Sequence, residues 1–388
     1  MDIKNKLQDY NYHVIELRRH FHMYPELSYE EFETTEFIEK ELNSMGIKTE
    51  RFEGTGLVGW IHGVNPGKCV GLRADMDALN VVEENDVLYK SKNAGKMHAC
   101  GHDAHMAMLL GAAKILSGMK DEINGTVCLI FQPAEEMASG AKKIISQGNW
   151  YEKVDNFFGM HVWSLMESGK VSVEKGPRMA AGDIFEVKVT GKSGHGSMPN
   201  QGVDAVLIAS HIVINLQDLV SRETSPLDPL VISVGTIKGG TRFNIIANDV
   251  MLDGTTRYFS KEIGKALPKN MERIIKGTAE MYRATAELKY TYVSPPVIND
   301  PESSEIAKIA ATKILGKDAI VTEPMTTGGE DFSYYIDNKP GCFAFLGSKN
   351  KAKGTDNPHH AGNFNVDEDV LISGSGIYVQ YALEYLNR

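Results

Sequence analysis

The sequence predicts an α/β protein, in which a mainly parallel sheet covered by helices carries an inserted α+β unit. Three observations lead to this class. At 388 residues the chain is longer than one ordinary core and suits two domains. The larger part alternates apolar runs with helical patterns, whereas the middle reads as a β-α-β-β-α-β series. We therefore expect residues 1–180 and 293–388 to form one domain, and residues 181–292 to form a split-βαβ (ferredoxin-like) insertion.

The elements of the larger domain begin with a buried strand at Cys69–Asp77, an apolar run that ends in acids. A helical pattern covers Ala104–Leu116, and further strands are predicted at Thr126–Phe131 and Asn156–Met160. Apolar strands separated by helical patterns are typical of a parallel sheet that is covered on both faces. Because ligands bind at the carboxyl ends of strands in such sheets, the residues that follow these three strands are the first candidates for a site.

The insertion is indicated by a change of pattern after Gly176-Pro177. A strand at Ile184–Val189 alternates apolar and polar residues, and a helix at Val203–Val220 is apolar on nearly all sides. The remaining elements are two strands, a helix and a last strand, at Leu230–Ile237, Val250–Tyr258, Lys261–Tyr282 and Ala286–Tyr292. The apolar helix favours a subunit contact, although burial beneath its own sheet explains the pattern equally well.

Composition excludes several classes of partner. The formal net charge of −10 gives no general attraction to nucleic acid or to anionic membranes. The first residues are charged, and no apolar run approaches the length of a membrane span. Four cysteines are too few for a disulfide framework in a chain of this length. We therefore expect a soluble, cytoplasmic protein whose partner is a small molecule.

Residue types that bind metal follow the predicted strands. Cys100 and His102 flank a glycine in a turn, so both side chains can face one point. Glu135 and Glu136 follow the second strand, where two neighbouring acids repel each other unless a cation neutralises them. The remaining candidates are histidines, at His161, His359 and His360. Each signal alone is common in proteins without metal, but their position at successive strand ends favours a two-metal hydrolytic site.

Eight blocks of sequence, spread along nearly the whole chain, carry a family resemblance. In chain order they are RRHFHMYPELSYEE at 18–31, LRADMDAL at 72–79, MHACGHDAH at 97–105, FQPAEE at 131–136, GHGSMP at 194–199, FNII at 243–246, GTTR at 254–257 and GGEDF at 328–332. Together these blocks resemble the aminoacylase/carboxypeptidase superfamily of dinuclear metal amidohydrolases. The branch is that of hippurate hydrolases, auxin-conjugate hydrolases and N-acetyldiaminopimelate deacetylases.

The resemblance implies two divalent metal ions per subunit. Their ligands would be Cys100, His102, Glu136, His161 and His360. Cys100 would bridge the ions as a thiolate, and zinc, manganese, cobalt or nickel is used within the family. Further acids and a histidine are expected to hydrogen-bond the ligating histidines: Asp75, Asp77, Asp103 and His105. His98 has no predicted place among the ligands.

The resemblance also implies residues for catalysis and substrate binding. Glu135 would be the general base, which takes a proton from an activated water and returns it to the departing amine. His195, on the insertion, would hydrogen-bond the developing oxyanion in the partner subunit's site. Asn244 and Arg257 would bind the free carboxylate of the amino acid. The resemblance further implies a homodimer through the inserted lid and dimerisation domain.

The chain departs from the family pattern at two places. Asn80 stands where a proline usually follows Asp-Ala-Leu, and Gly362 stands where the family commonly has a proline, two residues after the liganding histidine. We place the distal ligand at His360, because Phe364-Asn365 then falls in register with the family pattern. His359 is the alternative.

The predicted reaction is hydrolysis of the amide bond of an N-acyl-L-amino acid, such as a hippurate-like or N-acetyl compound. The closest alternative is a metallo-dipeptidase or carboxypeptidase, because a peptide with a free C-terminal carboxylate presents the same amide and the same anchor. A metal-free binding protein with this fold would leave Glu135 without a role. A nucleophilic Cys100 would leave the glutamate pair and the other histidines unexplained.

Overall fold

The computed structural model describes residues 3–388 of the chain. In chain order, helices α1–α8 are Ile3–Met23, Phe32–Ser44, His102–Ser117, Gly140–Ile145, Ala205–Asn215, Lys261–Met281, Pro301–Leu315 and Leu371–Leu386. Strands β1–β15 are Lys48–Arg51, Leu57–His62, Asn65–Asp75, Asn124–Gln132, Asn156–Glu167, Val171–Ser172, Gly176–Met179, Ala181–Thr190, Gly194–His195, Leu230–Gly239, Ile245–Ile246, Asp249–Tyr258, Thr285–Ser294, Val297–Asn299 and Gly341–Lys349. In this described part, no helix is both long and apolar enough to cross a membrane.

The chain divides into two compact units. The first unit comprises Met1–Gly176, Ile298–Pro324 and Asp331–Arg388, and the second comprises Pro177–Val297 and Met325–Glu330. A seven-stranded sheet lies in the first unit, and a four-stranded sheet lies in the second.

The seven-stranded sheet has the order β1-β2-β4-β3-β5-β15-β6. Its four central strands, β4, β3, β5 and β15, run parallel, and antiparallel strands complete both edges. Strands β3, β4 and β5 are buried along most of their length, which explains their nearly continuous apolar sequences. The predicted mainly parallel sheet is therefore confirmed.

Helix α3 lies at the centre of the first unit's core, buried along almost its whole length. It packs against α1, α8 and strand β3. Gly111 allows this close packing, because a Cβ there would lie 2.5 Å from Ser375 Oγ of α8 and 2.7 Å from Val14 Cγ2 of α1. The core thus fixes the position of α3, and its first residue, His102, lies near the end of β3, with His102 Nε2 3.7 Å from Asp75 Oδ2.

Strand β5 is longer than the sequence predicts. The prediction ends it at Met160, but the strand continues to Glu167, so His161 lies inside the strand rather than after its end. Pairing with β15 explains the extension, since Leu346 stands opposite Val162 and Gly347 opposite Trp163 in the parallel ladder. A strand nearly 200 residues further along the chain supplies these hydrogen bonds.

The main elements of the second unit follow in the order β8-α5-β10-β12-α6-β13, with the short strands β9 and β11 between them, and its four-stranded antiparallel sheet has the order β10-β12-β8-β13. Helices α5 and α6 pack on each other and on this sheet around a separate apolar core. Asp204 caps α5 by accepting the N–H groups of Val206 and Leu207. The predicted helix at Val203–Val220 ends earlier, at Asn215, and a π-helical turn follows at Leu219–Glu223.

Candidate metal centre and active site

Three neighbouring strands of the first unit place several predicted site residues at the same end of the sheet. Strand β3 ends at Asp75, directly opposite Gln132, the last residue of β4. On its other side β3 pairs with β5, which carries His161. Because these strands are parallel, the segments that follow β3 and β4 leave the sheet on the same side.

Gly101 shapes the turn between Cys100 and His102. Its φ of 95° lies in the left-handed region, which favours glycine. A Cβ at this position would also lie only 2.3 Å from Val162 Cγ2 of β5. A larger residue would therefore push the turn away from β5, the strand that carries His161.

The predicted ligands meet in two groups that share one thiol. Potential ligand atoms of Cys100, His102 and His161 lie within 4.8 Å of one another, and so do those of Cys100, Glu136 and His360. Cys100 belongs to both groups, which is the arrangement that a bridging ligand between two ions requires. The structure thus brings together all five residues that the resemblance implies as ligands.

Hydrogen bonds direct two imidazole lone pairs into this cluster. His102 Nδ1 lies 2.8 Å from the carbonyl oxygen of Asp77, and His161 Nδ1 lies 2.6 Å from that of Val162. A carbonyl only accepts, so each Nδ1 carries the hydrogen of the neutral ring and Nε2 presents a lone pair. Within residues 3–388, His102 Nε2 is buried without a hydrogen-bond partner, and His161 Nε2 lies 3.5 Å from Cys100 Sγ. This donor set fits divalent metal ions.

The charges of the cluster also fit cations. Burial raises the pKa of the Cys100 thiol, and the charge of Glu136 adds to the effect. Hydrogen bonds with Cys100 and Glu136 raise the pKa of His360 to about 10. Burial lowers the pKa of His102, but the charge of Asp75 and a hydrogen bond with Asp77 outweigh it and raise the pKa well above its usual value. In the protein alone, protons on these histidines balance the acids, and metal ions would replace them.

The two adjacent distal histidines have different surroundings. His360 Nε2 lies 3.4 Å from Glu136 Oε1, and the backbone N–H of His360 donates to Ala99 O at 2.8 Å. His359 points elsewhere: its Nε2 accepts the N–H of Ser164 at 3.2 Å, and burial lowers its pKa to about 3. The geometry therefore favours His360, the residue chosen from the register of the sequence.

Asp77 holds the turn that carries the glutamate pair. Its Oδ1 accepts the N–H of Glu135 at 3.0 Å, and its Oδ2 accepts the N–H of Glu136 at 3.1 Å. The hydroxyl of Ser28 donates to the same Oδ2 at 2.7 Å. Since Asp77 O also orients His102, one residue links the glutamate turn to the histidine at the start of α3.

His105 and Asp103, which are expected to orient the ligating histidines, make other hydrogen bonds. His105 donates from Nδ1 to Asp75 Oδ1 at 2.6 Å and accepts the N–H of Val162 at Nε2, so neither of its nitrogens is free for a metal. The prediction that Asp103 hydrogen-bonds a ligating histidine is wrong. It binds Arg18 and His22 of α1, at 2.9 and 2.7 Å, rather than a ligating histidine.

His98 is buried, and neither ring nitrogen has a hydrogen-bond partner among residues 3–388. It belongs to none of the potential metal-binding groups found in this part of the chain. Burial lowers the pKa of His98 to about 4, so the ring is neutral.

Three predicted site residues lie in the second unit. His195 is in β9, which pairs with β11 so that His195 stands opposite Ile245. Asn244 precedes β11, and its side-chain Oδ1 is buried without a hydrogen-bond partner in the described chain. Arg257 is near the end of β12, where its guanidinium donates to Thr256 O at 2.9 Å.

Comparison with known proteins places the chain in a family. The sequence profile of peptidase family M20/M25/M40 matches residues 71–384, most of the chain. The chain belongs to this family. The resemblance found in the sequence blocks is thus confirmed, and the chain is a hydrolase that acts on amide bonds.

Relatives and solved structures support this membership over the full length. Thermostable carboxypeptidase 1 of Saccharolobus solfataricus is 41% identical over 392 residues, which cover 100% of this chain and 98% of that protein. An N-acyl-L-amino acid amidohydrolase of Geobacillus stearothermophilus is 43% identical over 302 residues, 78% of this chain and 82% of that protein. The crystal structure of the Bacillus subtilis YXEP protein, described as a dinuclear metal binding peptidase from the M20 family, has a TM-score of 0.87 and 34% identity, and the match covers 98% of this chain and 99% of that one.

Proposed function

We propose that this protein hydrolyses the amide bond of N-acyl-L-amino acids and releases a carboxylic acid and a free amino acid. The observation that carries the proposal is the pair of ligand groups that share Cys100, with Glu135 beside them. The relative of G. stearothermophilus, which bears the name N-acyl-L-amino acid amidohydrolase, supports the choice of substrate.

Two divalent metal ions would be held by Cys100, His102, Glu136, His161 and His360. A shared thiolate with imidazole and carboxylate ligands suits zinc, manganese, cobalt or nickel. When bound, the ions would polarise the amide carbonyl and make a water molecule acidic enough to give up a proton at neutral pH.

Glu135 is proposed as the general base. Its carboxylate lies within 4.8 Å of the ligand atoms of His102 and Glu136. Because the five proposed ligands can hold the metal ions without Glu135, its carboxylate is left for proton transfer. The N–H of Glu135 is fixed by Asp77, so the side chain leaves the turn from a defined position. Glu135 would accept the proton of the attacking water and pass it to the departing amine nitrogen.

Residues of the second unit would bind and polarise the substrate. His195 Nδ1 accepts the N–H of Ser197 at 3.1 Å, so in the neutral ring Nε2 carries the hydrogen. A donor of this kind can stabilise the oxyanion that develops on the amide carbonyl. Asn244 and Arg257 would hold the free carboxylate of the amino acid, for which a guanidinium is well suited.

We further propose a homodimer through the second unit, in which His195 serves the partner subunit. Helix α5 supports this proposal, because three of its apolar side chains, Val206, Leu207 and Ile214, are 42%, 48% and 64% exposed. A cytoplasmic location is also proposed. All four cysteines are free thiols, as a reducing compartment favours.

Carboxypeptidase activity is the second candidate, favoured by the S. solfataricus relative that bears this name. A substrate panel would separate the two functions: hippurate, N-acetyl amino acids, N-acetyldiaminopimelate and simple dipeptides. We expect the highest kcat/KM for an N-acyl amino acid, with Glu135→Gln as the control for contaminating activity. Faster cleavage of dipeptides would favour the carboxypeptidase, and no cleavage of any member would contradict both.

A further inference from the structure

The turn after β4 donates three successive backbone N–H groups to two buried carboxylates. The N–H of Ala134 donates to Glu31 Oε1 at 2.8 Å. The next two, of Glu135 and Glu136, donate to the two oxygens of Asp77. Glu31 and Asp77 come from separate segments of the first unit, so this turn is held from two sides.

Ala134 has an unusual backbone conformation at the start of this run. Its φ of 53° lies in the left-handed region, which residues other than glycine rarely adopt. The neighbouring backbone is packed tightly: a Cβ on Gly140 would lie 1.7 Å from Pro133 O, and one on Gly56 would lie 2.6 Å from Pro133 Cδ. Such a conformation persists only where the surroundings hold it.

Glu31 is placed as a helix N-cap but does not act as one. It precedes α2, yet its side chain accepts no N–H of that helix. Glu26 takes this role instead, by accepting the N–H groups of Glu33 and Thr34 at 3.2 and 2.8 Å. The carboxylate of Glu31 is fully buried and binds the N–H of Ala134 and the hydroxyl of Thr55, the latter at 2.7 Å.

Burial of a carboxylate is unfavourable unless the contact that it makes compensates. Burial raises the pKa of Glu31 to about 7, and the charge of Asp77 adds to the effect. The oxygen that faces Ala134 can accept its N–H whether the carboxyl is ionised or neutral. A glutamine at this position has the same length and one acceptor oxygen, so it can preserve the hydrogen bond from the N–H of Ala134.

We propose that Glu31 is a positioning residue for Glu135: by accepting the N–H of Ala134, it holds the left-handed turn from which the general base projects. This inference rests on the proposed function of Glu135. Without the contact, Ala134 can relax towards an ordinary backbone conformation and shift the residue that follows it. A displacement of about 1 Å at a catalytic group can lower the rate by roughly 100-fold.

A purely structural role for Glu31 would have different consequences. The contact also ties α2 to the loop at Thr55 and to the end of β4. If this attachment were its whole purpose, variants would lose stability while the folded fraction kept its turnover number. A positioning role predicts a lower kcat in fully folded enzyme that retains its metal.

The test compares Glu31→Ala, Glu31→Gln and a control, Glu30→Ala, whose carboxylate is exposed and pairs with Lys96. For each, kcat, KM, metal content and hydrogen exchange of residues 131–139 in the metal-free protein are measured. We expect Glu31→Ala to lower kcat at least about tenfold, with KM and metal content unchanged and exchange faster. Glu31→Gln should stay near the wild type in all four measurements.

The inference is overturned if Glu31→Ala turns over like the wild type, if Glu31→Gln falls as far as Glu31→Ala, or if exchange at 131–139 is the same in all variants. Should Glu31→Ala fail to fold, Glu31→Asp replaces it, because one methylene fewer withdraws the carboxylate from Ala134. Should the wild type cleave no amide, the proposed function fails. In that case hydrogen exchange alone tests whether Glu31 holds the turn. Faster exchange at residues 131–139 in Glu31→Ala, but not in Glu31→Gln, is the supporting result.

Discussion

His105 Nε2 accepts the backbone N–H of Val162 at a distance of 2.8 Å. On its other side, His105 Nδ1 donates to Asp75 Oδ1 at 2.6 Å. The acceptor role of Nε2 places the ring hydrogen on Nδ1, so both contacts require the neutral imidazole. Val162 follows His161 directly, and this buried relay therefore fixes the part of β5 that carries a proposed ligand.

We predict that His105→Ala weakens metal binding by about 10–100-fold, the range typical when a residue that orients a ligand is removed. The physical reason is that the backbone beside His161 loses the hydrogen bond between Val162 and His105, whereas Cys100 and His102 remain in place. Metal titration followed by elemental analysis measures the effect. His62→Ala, which removes an exposed histidine, is the matched control. Unchanged affinity in His105→Ala would show that β5 holds His161 without the relay.

Glu135→Gln should retain both metal ions and lose at least about 100-fold in kcat, since an amide cannot accept the proton of the attacking water. The side chains are equal in size, and the backbone contact of Glu135 with Asp77 is preserved. Circular dichroism and metal analysis would establish that the variant is folded and loaded. Turnover near that of the wild type would contradict the assignment of the base.

Removal of metal should abolish hydrolysis and lower the thermal midpoint of unfolding. A ligand that binds only the folded state stabilises it, by about 4 kcal/mol at a free concentration 1,000 times Kd. Calorimetry before and after chelation, and after addition of zinc, manganese, cobalt or nickel, tests both effects. Restored activity would exclude a metal-independent Cys100 nucleophile. Full activity in the presence of a chelator would instead favour a reaction in which Cys100 is the nucleophile.

Much of the fold can be predicted from the chain because apolar runs and helical patterns are local signals. Strands β3, β4 and β5 are buried, so their sequences are apolar and their ends are visible. The extension of β5 to Glu167 depends on pairing with the distant β15, and no local pattern contains that information.

The candidate site shows the same division. Residue types and predicted strand ends indicate Glu136 and His161, and the glycine turn indicates Cys100, but spacing alone does not separate His359 from His360. The structure distinguishes these two because Ser164 N–H occupies one imidazole. No sequence pattern separates the buried Glu31 from the exposed Glu30 either. Glu31 is buried because it contacts Ala134, which is distant in sequence. The roles of the residues in the second unit stay predictions.

A buried ionic network joins α1 to the start of α3. His22 of α1 contacts Asp103 at 2.7 Å and Glu83 at 3.1 Å, and Arg18 donates to the same Asp103. Burial and the charge of Arg18 lower the pKa of His22, but hydrogen bonds with the two acids outweigh them and raise it above its usual value. The folded protein therefore binds a proton on His22 more tightly than the unfolded chain does.

We predict a stability contribution from His22 that depends on pH. It should be fully present below about pH 6.5, the ordinary histidine pKa, and should be lost as pH rises through the higher folded value. His22→Asn should cost about 1.5–3 kcal/mol at the acidic end, the range for hydrogen bonds to charged groups, and less at alkaline pH. Denaturant unfolding in chelator measures the difference. A difference that grows with pH would contradict the raised pKa.

The proposed exchange of His195 between subunits can be tested with two inactive variants. Subunits with Glu135→Gln keep His195, and subunits with His195→Ala keep Glu135. If His195 serves the partner, each mixed dimer contains one complete site. If it serves its own subunit, a mixed dimer contains none.

We expect co-refolded subunits in equal amounts to recover about a quarter of the wild-type activity, because half of the dimers are mixed and one of their two sites is complete. A mixture of Glu135→Gln with His102→Ala is the control. Both of these residues lie in the first unit. That mixture should recover no activity, since exchange of the second unit completes neither site. Absence of recovery in the first mixture, with dimers present by sedimentation, would mean that His195 acts within its own chain.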